Sequence, residues 1–521
     1  MSVHSIFNDV LGPIMCGPSS SHSAGCARIG LMTYKLFGRD IRKANVVFDI
    51  QGSYPETYRG QGSDFGFTGG LLGFTTDNPE LKDAVQIAAS SGKQIWFSQE
   101  MLSARHPNEA RINVYDEYDE IELSVLTFST GGGMFEIVEL NGFPVHIDGT
   151  EEQIFVCTTS PGHRVLDSVL ATHHVVVQHA ERDGQTLYCI SGADMACRRD
   201  ILTLREDESI VWIRIAPSIM SVPMRRERTP VFETAVDALA YMEETQCEPW
   251  EAALDYETSI GQATRQDIWQ LAKKTCDIMK RATVPPDPEN TPLFGFLPYQ
   301  GQRMQAVAVE RASVSTGILN KVALAAIAVM ENSCAHNVVV AAPTAGSSGV
   351  IPAGIITLGE AMGLSEEQII RGLLTAGLVG AFIANRATFG AEVAACQAEN
   401  GAASCMAAAG IVTLLGGTAQ QAFQAASLAL QNMLGLICDP VGGLTEIPCI
   451  SRNVSAVVNA VMAANMVSWG FDPVIPLDET IASMYQVGQQ LPASLRCTCQ
   501  GGLCQTKTAQ RIACDMAAHR K

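Results

Sequence analysis

No block of lysine and arginine occurs anywhere in this sequence, and its charge is one-sided, with 35 basic against 54 acidic residues and a formal net charge of −19. That balance argues against nucleic acid and anionic membrane as partners. The basic-then-apolar order of a signal peptide is also missing from the opening MSVHSIFNDVLGPIMCGPSSSHS, so the chain is expected in the cytoplasm. Thiols there stay reduced. The 16 cysteines are therefore expected as small buried hydrophobes or as ligands of a metal or cluster, rather than as disulfides. No Cys-x-x-Cys pair is present, which counts against a zinc ribbon. The apolar stretches after residue 320, such as NVVVAAPTAGSSGVIPAGIITLG, are interrupted before about 18 clean apolar positions accumulate, so core helices and loops are expected rather than membrane spans.

What is present reads as three segments of a multidomain α+β chain, since 521 residues exceed one core and roughly 100–200 residues make a domain. Residues 1–150 alternate β-rich runs (NVVFDI, RINVYDE, FEIVEL, FPVHI) with helical ones (AGCARIGLMTYKLFG, NPELKDAVQIAASSG), the pattern of an α/β domain. Residues 151–217 run strand, helix, strand, strand, helix, strand, which predicts a ferredoxin-like plait. From 225 to 521 the apolar spacing is three and four throughout, and an all-α domain is expected.

Four stretches carry candidate chemistry. Cys396, Cys438 and Cys449 stand 42 and 11 positions apart, each followed by polar groups in an apolar domain. They are either buried hydrophobes or thiolates for one metal centre. In CDPVGGLTEIPC, Cys438 to Cys449, proline and glycine forbid a continuous helix or strand between two of these thiols. Three thiolates on an iron–sulfur cube leave one iron free as a Lewis acid for a substrate hydroxyl. CGPSSSHSAG offers hydroxyls at Ser19, Ser20 and Ser21 ahead of a helix, suited to a carboxylate or phosphate or simply to a cap, and His22 as a proton-transfer group. GSYPETYRGQGSDFG is a Gly-rich loop with Arg59 and Asp64, and AAPTAGSSGVIPAG holds Thr344 among small polar residues that serve either a ligand or a close helix crossing.

Together, GPSSSHS, TYRGQGSD, APTAGSSGVIPAG, GAEVAACQAENGAASCMAAAG, CDPVGGLTEIPCISRN and MYQVGQQLPASLR resemble, in order, the landmarks of the iron–sulfur-dependent L-serine dehydratases. The domain order resembles a fusion of the two-subunit form, with the β part and an ACT regulatory module ahead of the α part. The resemblance implies elimination of water from L-serine to aminoacrylate, then pyruvate and ammonia. It implies a [4Fe–4S] cluster held by Cys396, Cys438 and Cys449, and His22 as the catalytic proton-transfer residue. Ser19, Ser20, Ser21, Gln61, Asp64, Thr344, Glu399 and Asn453 are the implied substrate-binding residues. An amino-acid effector at the ACT-like plait, whose turn would be TSPGH, and a homodimer are further expectations.

The sequence also departs from that family. Gln61 stands where members carry a histidine, and glutamine cannot serve as a base. Cys497, Cys499, Cys504 and Cys514 crowd the tail without an evident counterpart. Three alternatives stay open: a cluster-dependent lyase for another β-hydroxy or β-thiol amino acid, a non-catalytic amino-acid sensor, and a pyridoxal-phosphate enzyme. Lysines are scarce for the last, and Lys321, expected deep in an apolar helix, has no phosphate loop beside it.

Overall fold

The computed structural model describes residues 3–519, apart from 103–104, 160–162, 226–228, 289–296, 311–313 and 315. The chain is mixed α/β and divides into two compact units, Met1–Ser20 with Arg228–Lys521, and Ser21–Glu227. The boundary falls inside the serine run.

In the second unit a six-stranded sheet takes the order Gln94–Glu100, Lys43–Asp49, Glu109–Tyr115, Ile121–Gly131, Met134–Leu140, Phe143–Ile147, with only the first pair parallel among the described residues. Period-two alternation explains its burial: Ala110, Ile112 and Val114 point inward while Arg111, Asn113 and Tyr115 remain half-exposed. The helix Gly25–Phe37 packs on this sheet and against the helix Ser63–Leu71. A Cβ on Gly70 would lie 2.2 Å from Ala27 O and 2.7 Å from Gly30 Cα, so these helices meet backbone to backbone. Gly66 is as close to Ser23, where its Cβ would lie 2.6 Å from the carbonyl oxygen, and the two N-terminal turns thus share one end of the pair. Gly70→Ala should therefore destabilise this unit by about 1–3 kcal/mol, the usual effect of overpacking. Thermal unfolding measures it, and an unchanged melting temperature would mean that the crossing opens freely.

Residues 153–216 show the expected order of elements: Gln153–Thr158, Arg164–Leu170, Val176–Arg182, Gln185–Ser191, Met195–Thr203 and Ile210–Ala216. The four strands are antiparallel in the order Ile210–Ala216, Gln153–Thr158, Gln185–Ser191, Val176–Arg182. Of the turn TSPGH, residues 160–162 lie outside the described residues. His163 caps the helix Arg164–Leu170, its Nδ1 accepting from Leu166 N–H at 3.1 Å while Nε2 meets Ser209 Oγ at 2.6 Å.

The first unit is helical with one correction to the all-α expectation. Val338–Val340 forms a strand paired with Ile14–Cys16. Three β-branched residues between a helix end and a proline favour an extended run, and the partner comes from more than 320 positions away, where no local pattern reveals it. Lys321 also differs from its expected place: it is exposed at the start of the helix Leu319–Cys334. The helix Glu366–Arg386 is long and apolar enough to cross a membrane, but 78% of its apolar window is buried inside the protein, as in a core helix.

Glu257 fastens the N-terminal segment onto this unit. It is fully buried, accepts from Ile6 N–H at 2.7 Å and also accepts from the Ser5 hydroxyl. Next to it, Tyr256 Oη donates to His4 O at 2.9 Å. Burial pushes the Glu257 carboxyl from 4.5 up to about 7. The folded protein thus keeps a proton that the unfolded chain has already lost, so stability must fall as pH rises between those values and level off above. At most about 3 kcal/mol is involved. Hydrogen exchange of residues 5–11, corrected for intrinsic rate, should show protection declining from pH 5 to pH 8, whereas Glu257→Gln should flatten that dependence.

Candidate functional site

Cys396, Cys438 and Cys449 are all buried in the first unit. Cys396 ends the short helix Ala391–Cys396, whose last turn is broken at Ala394 (φ −134°, ψ 18°) and Ala395 (φ 61°, ψ −168°). A left-handed alanine persists only where its surroundings hold it. Gln397 supplies that hold: its N–H donates to Leu436 O at 3.1 Å, Nε2 donates to Met484 O at 2.9 Å, and Oε1 accepts from Gly435 N–H at 2.9 Å. Cys438 is pinned by its backbone, N–H donating to Leu495 O at 2.9 Å and the carbonyl accepting from Cys497 N–H at 3.1 Å. The chain then turns through Pro440 and left-handed Gly442 and Gly443 before Cys449 opens the helix Cys449–Ser468.

This path brings Cys396 Sγ, Cys438 Sγ and a Glu399 carboxylate oxygen within 4.8 Å of one another. Cys449 stands outside that group, yet its thiol is pushed well up, first by burial and then by Cys396 and Glu399. The Cys438 thiol is also raised, by its hydrogen bonds to Cys396 and Cys497 and by burial. Sulfurs crowded into a low-dielectric pocket cannot all ionise unless a cation joins them. Soft donors in this arrangement are consistent with a metal cofactor.

Polar neighbours complete the pocket. Thr344 Oγ1 donates to Glu399 Oε1 at 2.8 Å, and burial pushes the Glu399 carboxyl up to about 7 against that hydrogen bond. Asn453 Nδ2 donates to Cys449 O and Gly346 O, both at 2.8 Å, while its Oδ1 accepts from Gly349 N–H at 2.9 Å, which ties AGSSG to the helix of Cys449. Arg452 Nη1 donates to Cys396 Sγ at 3.6 Å and to Ile437 O at 2.9 Å, and Nη2 donates to Asp439 Oδ1 at 2.7 Å.

Ser19 and Ser20 also belong to the first unit; Ser21, His22, Gln61 and Asp64 belong to the second. The turn Ser20–Ala24 runs straight into Gly25–Phe37, with no side-chain cap from Ala24. His22 Nδ1 meets Ser21 Oγ at 3.0 Å, its ring stands edge-on to Tyr54 at 5.5 Å, and Nε2 is shielded from solvent. Burial lowers His22 to about 4, so at neutral pH it is an uncharged imidazole able to accept a proton. Cys26 Sγ donates to Tyr54 Oη at 3.4 Å, and Ser63 and Asp64 act on the same thiol. Burial raises Asp64 to about 6, with Oδ1 accepting from Phe65 N–H at 2.8 Å. Gln61 is half-buried in the turn before Ser63–Leu71, and its N–H donates to Thr57 O at 2.9 Å.

Three residues that these contacts make prominent were not singled out from the sequence. Arg452 and Asp439 are among the polar groups that follow Cys449 and Cys438 in sequence, and their pairing beside Cys396 depends on a fold-level approach that no spacing encodes. Tyr54 carries no sequence signal, since a buried tyrosine is ordinarily core.

Comparison with known proteins follows this geometry. The family model described as Serine dehydratase alpha chain matches residues 240–504, just over half of the chain. The chain is 39% identical over 256 residues to the probable L-serine dehydratase alpha chain of Bacillus subtilis (strain 168), covering 49% of this chain and 85% of that one. It is 42% identical over 183 residues to the probable L-serine dehydratase beta chain of the same organism, covering 35% of this chain and 81% of that one. L-serine dehydratase 2 of Escherichia coli (strain K12) is 27% identical over 526 residues, covering 99% of this chain and 100% of that one. Alpha-type and beta-type sequence thus occur in one polypeptide, and the chain belongs to the serine dehydratase alpha chain family.

Proposed function

We propose that this protein is an L-serine ammonia-lyase that eliminates water from L-serine to give aminoacrylate, which hydrolyses to pyruvate and ammonia. The observation that carries this reading is the pair of buried thiols with Glu399, in a chain of the serine dehydratase family. A [4Fe–4S] cluster is assigned to Cys396, Cys438 and Cys449, supported by the approach of Cys396 and Cys438 to Glu399 and by the Cys449 thiol feeling Cys396. When bound, such a cluster supplies the Lewis acidity that helps a poor leaving group such as hydroxide depart. The protein's own residues supply the rest. Glu399, with a carboxyl near 7, holds or releases a proton at Oε beside Thr344. Arg452 places a fixed positive charge against Cys396 Sγ. His22, uncharged at neutral pH and hydrogen-bonded to Ser21, is assigned the α-proton, its weakened basicity being the cost of its burial. Ser19 to Ser21 are assigned to the substrate carboxylate, and Gln61, Asp64 and Asn453 to orientation. The plait is proposed to receive an amino-acid effector, and the assembly to be a homodimer.

Replacing Cys438 or Cys449 by Ser should cost iron, brown colour and activity together in anaerobically purified protein. Cys405→Ser should be mild, because that thiol lies in the apolar core of the helix Ala402–Leu414. Arg452→Ala should weaken metal retention by about 10–100-fold, the range for residues that orient ligands. Iron and sulfide analysis decides, and equal iron in every variant rejects the ligand assignment.

Gln61 favours a second reading, in which the substrate is another β-hydroxy or β-thiol amino acid. His22→Ala should lower turnover by about 10²–10⁴-fold with iron retained. Gln61→His should be tolerated or raise turnover if L-serine is the substrate, and should cost the native reaction if Gln61 binds a different one. Both variants are to be assayed anaerobically with L-serine, L-threonine and L-cysteine for 2-oxo acid. A fully active His22→Ala protein would remove the assignment.

A further inference from the structure

The tail between Arg496 and Lys507 holds three thiols in eight residues, Cys497, Cys499 and Cys504. Cys499 Sγ donates to Pro440 O at 3.3 Å and Cys504 Sγ donates to the same oxygen at 3.2 Å. Both thiols thus converge on one carbonyl oxygen. Gln505 Nε2 donates to Cys499 O at 3.1 Å, so the short loop between them closes on itself. Cys499 has φ of 57° and Cys497 φ of 59°, a left-handed region that side chains rarely adopt, although Gly501 and Gly502 stand close by. The loop thus keeps thiols at positions that glycine would fill with less strain.

We propose that Cys499 and Cys504 form a reversible disulfide, a modification site for small disulfides that is separate from the cluster ligands. Cys499 is half-buried and Cys504 buried, so Cys499 is the thiol that a small disulfide meets first. The Cys499 thiolate attacks one sulfur of R–S–S–R, forming Cys499–S–S–R and releasing R–S⁻. The Cys504 thiolate then attacks the Cys499 sulfur and releases the second R–S⁻. Both leaving thiolates take up the protons that the protein thiols gave, so the products are one protein disulfide and two R–SH. The protein sulfurs are oxidised by two electrons and the small disulfide is reduced by two.

The bridge removes both S–H donors from Pro440, two positions after Cys438. Leu503 N–H, donating to Asp439 Oδ2 at 2.8 Å, remains to hold the tail to that segment. Asp439 also orients Arg452 against Cys396, so the tail and the thiol pocket share one carboxylate.

The test equilibrates the full-length, cluster-loaded protein anaerobically with mixtures of reduced and oxidised glutathione, then alkylates it and digests it with trypsin. Cleavage after Arg496 and Lys507 isolates the three thiols in one peptide. Under oxidising mixtures that peptide should lack two hydrogens and carry alkyl only on Cys497, and dithiothreitol should reverse it. Cys499→Ser or Cys504→Ser should abolish the bridge, and Cys497→Ser should leave it. Three alkylated cysteines at every mixture, a bridge that includes Cys497, or glutathione adducts without a bridge would each overturn the proposal. Amide exchange in residues 497–505 should be about 3–10-fold faster in the oxidised form, as expected when local hydrogen bonds are lost. Unchanged exchange would overturn the link to Pro440. Neither readout depends on activity, so both remain decisive if the serine dehydratase reading fails.

Discussion

The thiol pocket of the first unit is shaped by the repulsion between sulfurs brought together in one buried space. Cys396 and Cys438 with Glu399 lie within 4.8 Å, and Cys449 feels the first and the last of these. Burial and neighbouring sulfurs both oppose ionisation of Cys438 and Cys449, an opposition that the charge of a metal cofactor would offset. The backbone is built to tolerate that crowding. It breaks a helix at Ala395, passes through two left-handed glycines after Cys438, and starts a new helix at Cys449. Each break frees a cysteine from the direction that regular structure would impose, while Gln397 and Asn453 tie the flanking segments through Gly435 N–H and Cys449 O.

Much of this was legible in the sequence for a specific reason. Proline and glycine state where a chain cannot be regular, so the broken path between Cys438 and Cys449 could be read directly. The βαββαβ order of residues 153–216 was legible because strand and helix periods alternate cleanly there. The strand Val338–Val340 was not, since its partner is Ile14–Cys16 and pairing over that separation leaves no local signature. The same reason hides Glu257, whose partners Ser5 and Ile6 lie about 250 positions away. Lys321 was misplaced because an apolar helical period does not reveal which end of the helix faces solvent.

The two candidate proton carriers illustrate how burial reassigns residue types. His22 was read as a group titrating near neutrality, and desolvation instead holds it uncharged down to about 4. Glu399 was read as a binding group, and the same desolvation lifts its carboxyl to about 7. A histidine that is already neutral can only take a proton, whereas a carboxyl poised near neutrality can give one or take one. Elimination of water needs both acts, a proton removed from carbon and one delivered to the departing oxygen. Burial has therefore moved two residues of ordinary reference pKa in opposite directions, each according to its own surroundings.

Gln61 fits this division without a base of its own. Its backbone before the helix Ser63–Leu71 is held by the bond to Thr57 O, and an amide side chain offers a hydrogen-bond donor and an acceptor where a histidine would offer a base. Asp64, three positions on and raised to about 6, is the titratable group nearest to it in sequence on that helix. At about 6 the Asp64 carboxyl is mostly ionised at pH 7, whereas Glu399, near 7, is poised between its two forms there.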